Sequence, residues 1–113
     1  MFDYHASLVR VVDGDTFDVD VDLGMHVHTA TRLRLNGINA PEVSTQEGKA
    51  ARDWARSILP IGSFLVIHTD RDRTEKYGRW LATVTLPDGT DYAQLAIATG
   101  HAVAWDGTGP RPV

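Results

Sequence analysis

Residues 34–42 read RLNGINAPE. Arg34 interrupts an apolar run, Gly37 loosens the backbone behind it, Asn39 supplies an amide, and Pro41 leads into the carboxylate of Glu42. Arg34 and Glu42 stand eight positions apart. With a strand before Gly37 and a return after it, both polar ends face one cleft. Two other segments carry groups that suit the same cleft: Asp13-Gly14-Asp15, and RTEKYGR at 73–79. Carboxylates, two well-separated arginines and a tyrosine are the components of metal-assisted chemistry on a phosphate ester.

Upstream of that stretch, SLVRVV at 7–12 predicts a short strand, and DGDT at 13–16 a hairpin turn. TFDVDVD at 16–22 alternates strictly, with Phe17, Val19 and Val21 on the buried face. A third strand is expected over much of 25–35, with Leu33 and Leu35 inward. His26 and His28 then share a face, but no third ligand is placed to complete a metal site.

Downstream, 44–59 predicts a helix with a Ser44–Glu47 capping box and a stripe of Ala50, Ala51, Trp54, Ala55, Ile58 and Leu59. Pro60 and Gly62 end it. FLVIHT at 64–69 and WLATVTL at 80–86 predict strands, with Pro87-Asp88-Gly89 as a turn. A shorter helix follows at 91–99, capped by Gly100. Trp54 and Trp80 are expected in the core, whereas Trp105 suits either the core or a base-stacking platform. Three strands, a helix, two strands and a helix give an α+β chain, mostly antiparallel. This order suits a five-stranded barrel of the oligonucleotide/oligosaccharide-binding (OB-fold) type with two helices.

At 113 residues the chain makes one domain, expected over 1–106, with an irregular Gly/Pro-rich tail at 107–113. It has no cysteine, which excludes disulfides and thiolate metal sites. A net charge of −4 argues against a uniform basic coat for nucleic acid and leaves room for a local anion site. No apolar run nears the ~20 residues that span a bilayer. MFDYHAS carries no signal-peptide pattern, so a cytoplasmic monomer is expected, and a secreted mature form is compatible with the same features.

VVDGDTF at 11–17, RLNGINAPE at 34–42 and RTEKYGRWLA at 73–82 resemble, in order and spacing, the three signature blocks of the staphylococcal nuclease (thermonuclease) family. The resemblance covers about residues 7–105. It implies a calcium-dependent phosphodiesterase that cuts DNA and RNA on an OB-fold barrel. It implies that Arg34, Glu42 and Arg79 are the catalytic residues. It further implies that Asp15, Asn39 and the Ala40 carbonyl hold the metal, with Asp13 supporting them from behind. Tyr77 and Lys76 then lie against substrate phosphates. Calcium is favoured by the resemblance; magnesium or manganese suits the same oxygen donors.

Two departures stand out. Asn39 replaces an aspartate, which removes one negative charge from the metal site. No counterpart of the family's long C-terminal helix is expected after Trp105.

Each residue also has a plainer reading. Asp13-Gly14-Asp15 is a common hairpin turn. Arg34 and Arg79 are ordinary surface charges, and Glu42 is favourable charge ahead of a helix. Isolated surface charges do not explain three blocks in order. The expected function is therefore a metal-dependent endonuclease with little sequence specificity, acting on DNA and/or RNA, single strands preferred. The alternative is a non-catalytic module of the same fold that binds nucleic acid or protein.

Overall fold

The computed structural model describes residues 2–69 and 80–105. The strands are β1 (Phe2–Asp13), β2 (Thr16–Asp22), β3 (His28–Leu35), β4 (Ile38–Asn39), β5 (Phe64–Thr69), β6 (Trp80–Thr85) and β7 (Val103–Ala104). The helices are α1 (Gln46–Ile58) and α2 (Tyr92–Ala98). The α+β barrel expected from the sequence is present: β1-β2-β3-β6-β5 form a closed five-stranded sheet, with β4 and β7 paired beside it. Four of its pairings are antiparallel, and β3 meets β6 in parallel over only Leu33–Leu35 and Trp80–Ala82.

The alternation along β2 acts as the sequence predicts, burying Phe17, Val19 and Val21. β1 is longer than the expected 7–12. Its first half alternates too, with Ala6 and Leu8 inward. The phase then changes. Leu8 pairs with Val19 and Arg10 with Asp18, so Val9 is an extra residue, left 49% exposed. A second irregularity lies between Val11 and Asp13. Such bulges bend and twist a strand, here bringing Val11 back to the core. Arg56 of α1 donates from Nε and Nη2 to the Val11 carbonyl, at 3.3 and 3.0 Å, fixing the helix to the bent strand.

Three expectations need correction. β3 starts at His28, because Gly24, Met25 and His26 turn through positive φ (83°, 53° and 62°), so His26 and His28 do not share a strand face. The cap of α1 is Thr45, not Ser44: its Oγ1 accepts from the Gly48 N–H at 3.0 Å. Ala50 is exposed; the buried stripe is Gly48, Ala51 and Ala55, with Leu59 below. Trp54 and Trp80 are half-buried against the core. Positions 76, 77 and 79 and the tail at 107–113 lie outside the described residues. Among the described residues no helix is long and apolar enough to cross a membrane.

Candidate active site

The β1–β2 turn, the end of β3 and the loop into α1 converge on one carboxylate. Asp15 is only 4% exposed. Its Oδ2 accepts from the Ala40 N–H at 2.9 Å and lies 3.4 Å from Arg34 Nη2. Its Oδ1 accepts from the Thr16 hydroxyl at 3.2 Å, and its N–H donates to Asp13 Oδ1 at 3.0 Å. Arg34 is 8% exposed, and its Nη1 donates to the Leu35 carbonyl at 2.6 Å. The guanidinium is therefore held at both ends before any ligand arrives. A buried, charge-assisted pair of this kind keeps its direction better than a surface pair.

The two acids of the turn divide their roles. Burial, with Asp15 alongside, pushes the Asp13 carboxyl up to about 7. Burial also opposes the Asp15 charge, but the hydrogen bond with Asp13, the Arg34 guanidinium, the Ala40 N–H and the Thr16 hydroxyl outweigh it and hold that carboxyl below its usual value. Asp15 is the fixed anion, and Asp13 shares a proton near neutrality.

Sequence reasoning missed two residues that hold this turn and the loop facing it. Tyr92, wholly buried at the start of α2, donates its hydroxyl to the Gly14 carbonyl at 2.6 Å across 78 positions of sequence. Burial and the neighbouring acids push the Tyr92 phenol far up, so it stays a donor. Phe17 packs edge-on against its ring at 4.9 Å. Gly48 is the second. A Cβ there would lie 1.8 Å from the Glu42 carbonyl oxygen, so only glycine lets the Glu42 loop cross the helix this closely. That carbonyl also accepts from the Thr45 N–H at 2.9 Å and the Thr45 hydroxyl at 2.6 Å. Glu42 itself is exposed.

Asn39 has no exposed surface and pairs with Val103, while Trp105 donates its N–H to the Gly37 carbonyl at 2.9 Å. β7 and the residue after it thus brace the loop that carries Asn39 and Ala40. Trp105 is a backbone brace at this point. The structure brings Asp13, Asp15, Arg34, Asn39 and Ala40 together, with Glu42 on the same loop. Lys76, Tyr77 and Arg79 lie outside the described residues. Trp80, however, pairs with Leu33, the neighbour of Arg34.

Residues 32–111 match the model of the family described as staphylococcal nuclease homologue. The chain belongs to this family. An "Uncharacterized endonuclease" of Escherichia coli O157:H7 is 35% identical over 111 residues, 98% of this chain and 67% of that protein. The "Thermonuclease" of Staphylococcus intermedius is 33% identical over 93 residues, 77% of this chain and 52% of that protein. "Endonuclease YhcR" of Bacillus subtilis (strain 168) is 26% identical over 111 residues, 88% of this chain and only 9% of that protein. The fold thus sits within this family.

The family implies a hard divalent cation at the acidic turn. Among the described residues no three His, Cys, Asp or Glu side chains converge to hold a metal. The donors nonetheless fit in kind: Asp13 and Asp15 offer carboxylate oxygens, and Asn39 an amide oxygen next to Ala40. The fit lies in the geometry: Asp13, half-buried, is held beside the buried Asp15 at 3.0 Å from its N–H, so two acids meet at one turn, where a cation offsets their charge. Ala40 directs its N–H at Asp15.

Proposed function

We propose that this chain is a metal-dependent phosphodiesterase that cleaves DNA and/or RNA strands internally, with single strands preferred and little sequence specificity. The observation that carries the reading is the buried Arg34, oriented by Asp15 at 3.4 Å and the Leu35 carbonyl at 2.6 Å beside the Glu42 loop. Asp15, Asn39 and the Ala40 backbone would hold calcium, with magnesium or manganese as substitutes, and Asp13 would support them. The ion, when bound, offsets negative charge on a phosphate oxygen.

The remaining work falls to the chain itself. Arg34 offers the planar fork that matches two phosphate oxygens and stabilises charge growing on them. Glu42, exposed on a loop clamped to α1, orients a water and accepts its proton. As the water oxygen bonds to phosphorus, the bond to the 5′ oxygen breaks. That oxygen takes a proton from solvent water as it leaves, and a 3′ phosphate remains. Arg79 supplies the second cation, with Lys76 and Tyr77 on neighbouring phosphates. Contacts to phosphates carry no sequence information, which fits low sequence specificity.

A second reading, a binding module without catalysis, is favoured by Asn39, which offers an amide where the family resemblance calls for a carboxylate. Cleavage of single-stranded DNA across a calcium titration separates the two, with Glu42→Ala and Arg79→Ala as controls. Metal-dependent cleavage that both variants abolish supports the enzyme. Absence of cleavage with calcium, magnesium and manganese overturns it and leaves the module.

A further inference from the structure

The face of the sheet that carries Arg34 continues beyond it. On β2, Phe17 and Val19 turn into the core, so Thr16, Asp18 and Asp20 lie on the other face. Across the strands this face is built in rows. Thr16 pairs with Arg34, and the next row is Arg10, Asp18 and Arg32, from β1, β2 and β3 in turn. Arg32 and Arg34 stand two residues apart on one strand, so they share a face about 7 Å apart. The row after that turns acidic: Asp20 faces Ala30, with His28 Nδ1 at 3.4 Å from its carboxylate.

The middle row sets two guanidinium groups around one carboxylate. Arg32 donates from Nε to Asp18 Oδ1 at 2.7 Å and from Nη2 to Oδ2 at 3.1 Å. Arg10 donates from Nη2 to the same Oδ2 at 3.1 Å. The two arginine side chains stay 57% and 46% exposed, so they have further N–H groups to offer a ligand. Two cations stand against one anion, which leaves the row positive in a chain of net charge −4. The row also lies within the field of the acidic turn: Asp13, after Asp18, adds to the charge that holds the Arg32 guanidinium above its ordinary value. A lone surface ion pair contributes little to stability, whereas two planar forks fixed side by side match the oxygens of a phosphodiester.

We propose that Arg10 and Arg32, aimed by Asp18, form a phosphate subsite for the nucleotide next to the one whose phosphate lies at Arg34. The proposal rests on the nuclease reading. A strand that leaves Arg34 along β3 meets this row after a step close to that between successive phosphates. It then meets the Asp20 carboxylate, which repels it. The subsite therefore takes one phosphate and adds affinity without reading a base.

Binding is the first test. A fluorescein-labelled hexathymidylate is titrated with calcium present, in a Glu42→Ala background that keeps the strand intact, and its anisotropy is followed at several salt concentrations. Arg10→Gln/Arg32→Gln should weaken binding several-fold and lower the slope of log K against log salt by about 0.7, the share of one single-strand phosphate. Arg52→Gln removes an arginine paired with Asp53 on α1 and should leave the slope little changed. Asp18→Asn separates contact from scaffolding. It keeps both cations and removes the anion between them, so binding should tighten. An unchanged slope, a loss matched by Arg52→Gln, or absence of binding overturns the subsite. So does weakening by Asp18→Asn equal to that of the arginine variant. Should the double variant fail to fold, Arg10→Gln alone decides, with a smaller drop in slope.

Cleavage supplies the second readout. Two trithymidylates each carry one uncharged methylphosphonate linkage and one scissile phosphodiester, which places the missing charge on either side of the cut. In the wild type one of them should show a KM raised several-fold over the trimer with both phosphates. In Arg10→Gln/Arg32→Gln that penalty should disappear. An equal penalty in both proteins overturns the subsite. The two readings fail separately. Binding that depends on Arg10 and Arg32 without any cleavage removes the nuclease and keeps the phosphate site, whereas cleavage with binding indifferent to both arginines removes only the subsite.

Discussion

Gly48→Ala places two effects in opposition and lets the structure decide between them. In a free helix the change is favourable by about 1 kcal/mol, since alanine is the better helix former. Here the new Cβ would lie 1.8 Å from the Glu42 oxygen, 2.3 Å from the Glu42 carbonyl carbon and 2.8 Å from the Pro41 oxygen. Carbon and oxygen rest at about 3.3 Å even in close contacts, so something must move by roughly 1.5 Å. All three obstacles are backbone and cannot rotate away. If the loop moves, the Thr45 bonds at 2.6 and 2.9 Å to the Glu42 carbonyl are strained or lost. If the helix moves, the buried Ala51 and Ala55 leave the barrel.

Overpacking costs about 1–3 kcal/mol, so after the helix gain the net loss is about 0–2 kcal/mol, a few degrees in Tm. Displacing a catalytic group by about 1 Å costs on the order of 100-fold in rate. Gly48→Ala should therefore lose about 100-fold in kcat while remaining folded well below its Tm. Thermal unfolding by circular dichroism and initial rates of oligonucleotide cleavage measure the two effects. Ala50→Gly, on the exposed side of the same helix, is the control. It should lose about 1 kcal/mol of stability with unchanged activity. A Gly48→Ala protein that is both more stable and fully active would refute the argument, because helix propensity would then have outweighed the close approach.

Other outcomes follow from neighbouring contacts. Tyr92→Phe leaves the buried Gly14 carbonyl without its donor at 2.6 Å, which should cost about 1–3 kcal/mol in urea unfolding and lower cleavage through the loosened acidic turn. Asp18 on the outer barrel face is held below its usual carboxyl value chiefly by hydrogen bonding to Arg32, against burial and with help from Arg10. A lowered folded value means a stability contribution present above about 3.8 and lost as pH falls through the folded value. Asp18→Asn should thus flatten the decline of Tm below pH 4 relative to wild type, and parallel declines would contradict it. Asn39→Asp buries a further negative charge at a position with no exposed surface, so Tm without metal should fall. Calcium should then raise its Tm more than that of the wild type, with EDTA reversing the gain.

The alternation of β2, the Asp-Gly turn and the stop at Pro60 were legible in the sequence because each depends on neighbours in the chain. The first half of β1 was missed: Tyr4, Ala6 and Leu8 alternate with Asp3, His5 and Ser7, but the phase change at Val9 obscured the signal. The parallel closure of β3 on β6 was not legible, because no local pattern states which distant strand completes a barrel. The choice of Thr45 over Ser44 turns on which hydroxyl meets an N–H, and both residue types cap equally well on paper. Family resemblance pointed to Asp15, Arg34 and Asn39. It could not reveal Tyr92, whose role depends on contact across 78 positions, or Gly48, whose value lies in the side chain it lacks.

The small pairing of β4 with β7 has a consequence for the cell that makes this chain. Ile38 and Asn39 are braced by Ala104 and Val103, and the acidic turn waits for Tyr92. Chains emerge from the ribosome N-terminus first. The signature stretch around Arg34 is therefore made early but cannot be locked in place until translation has passed residue 104. Late bracing therefore leaves the loop of Asn39 and Ala40 unassembled until residues 103–105 have been made and folded back onto it.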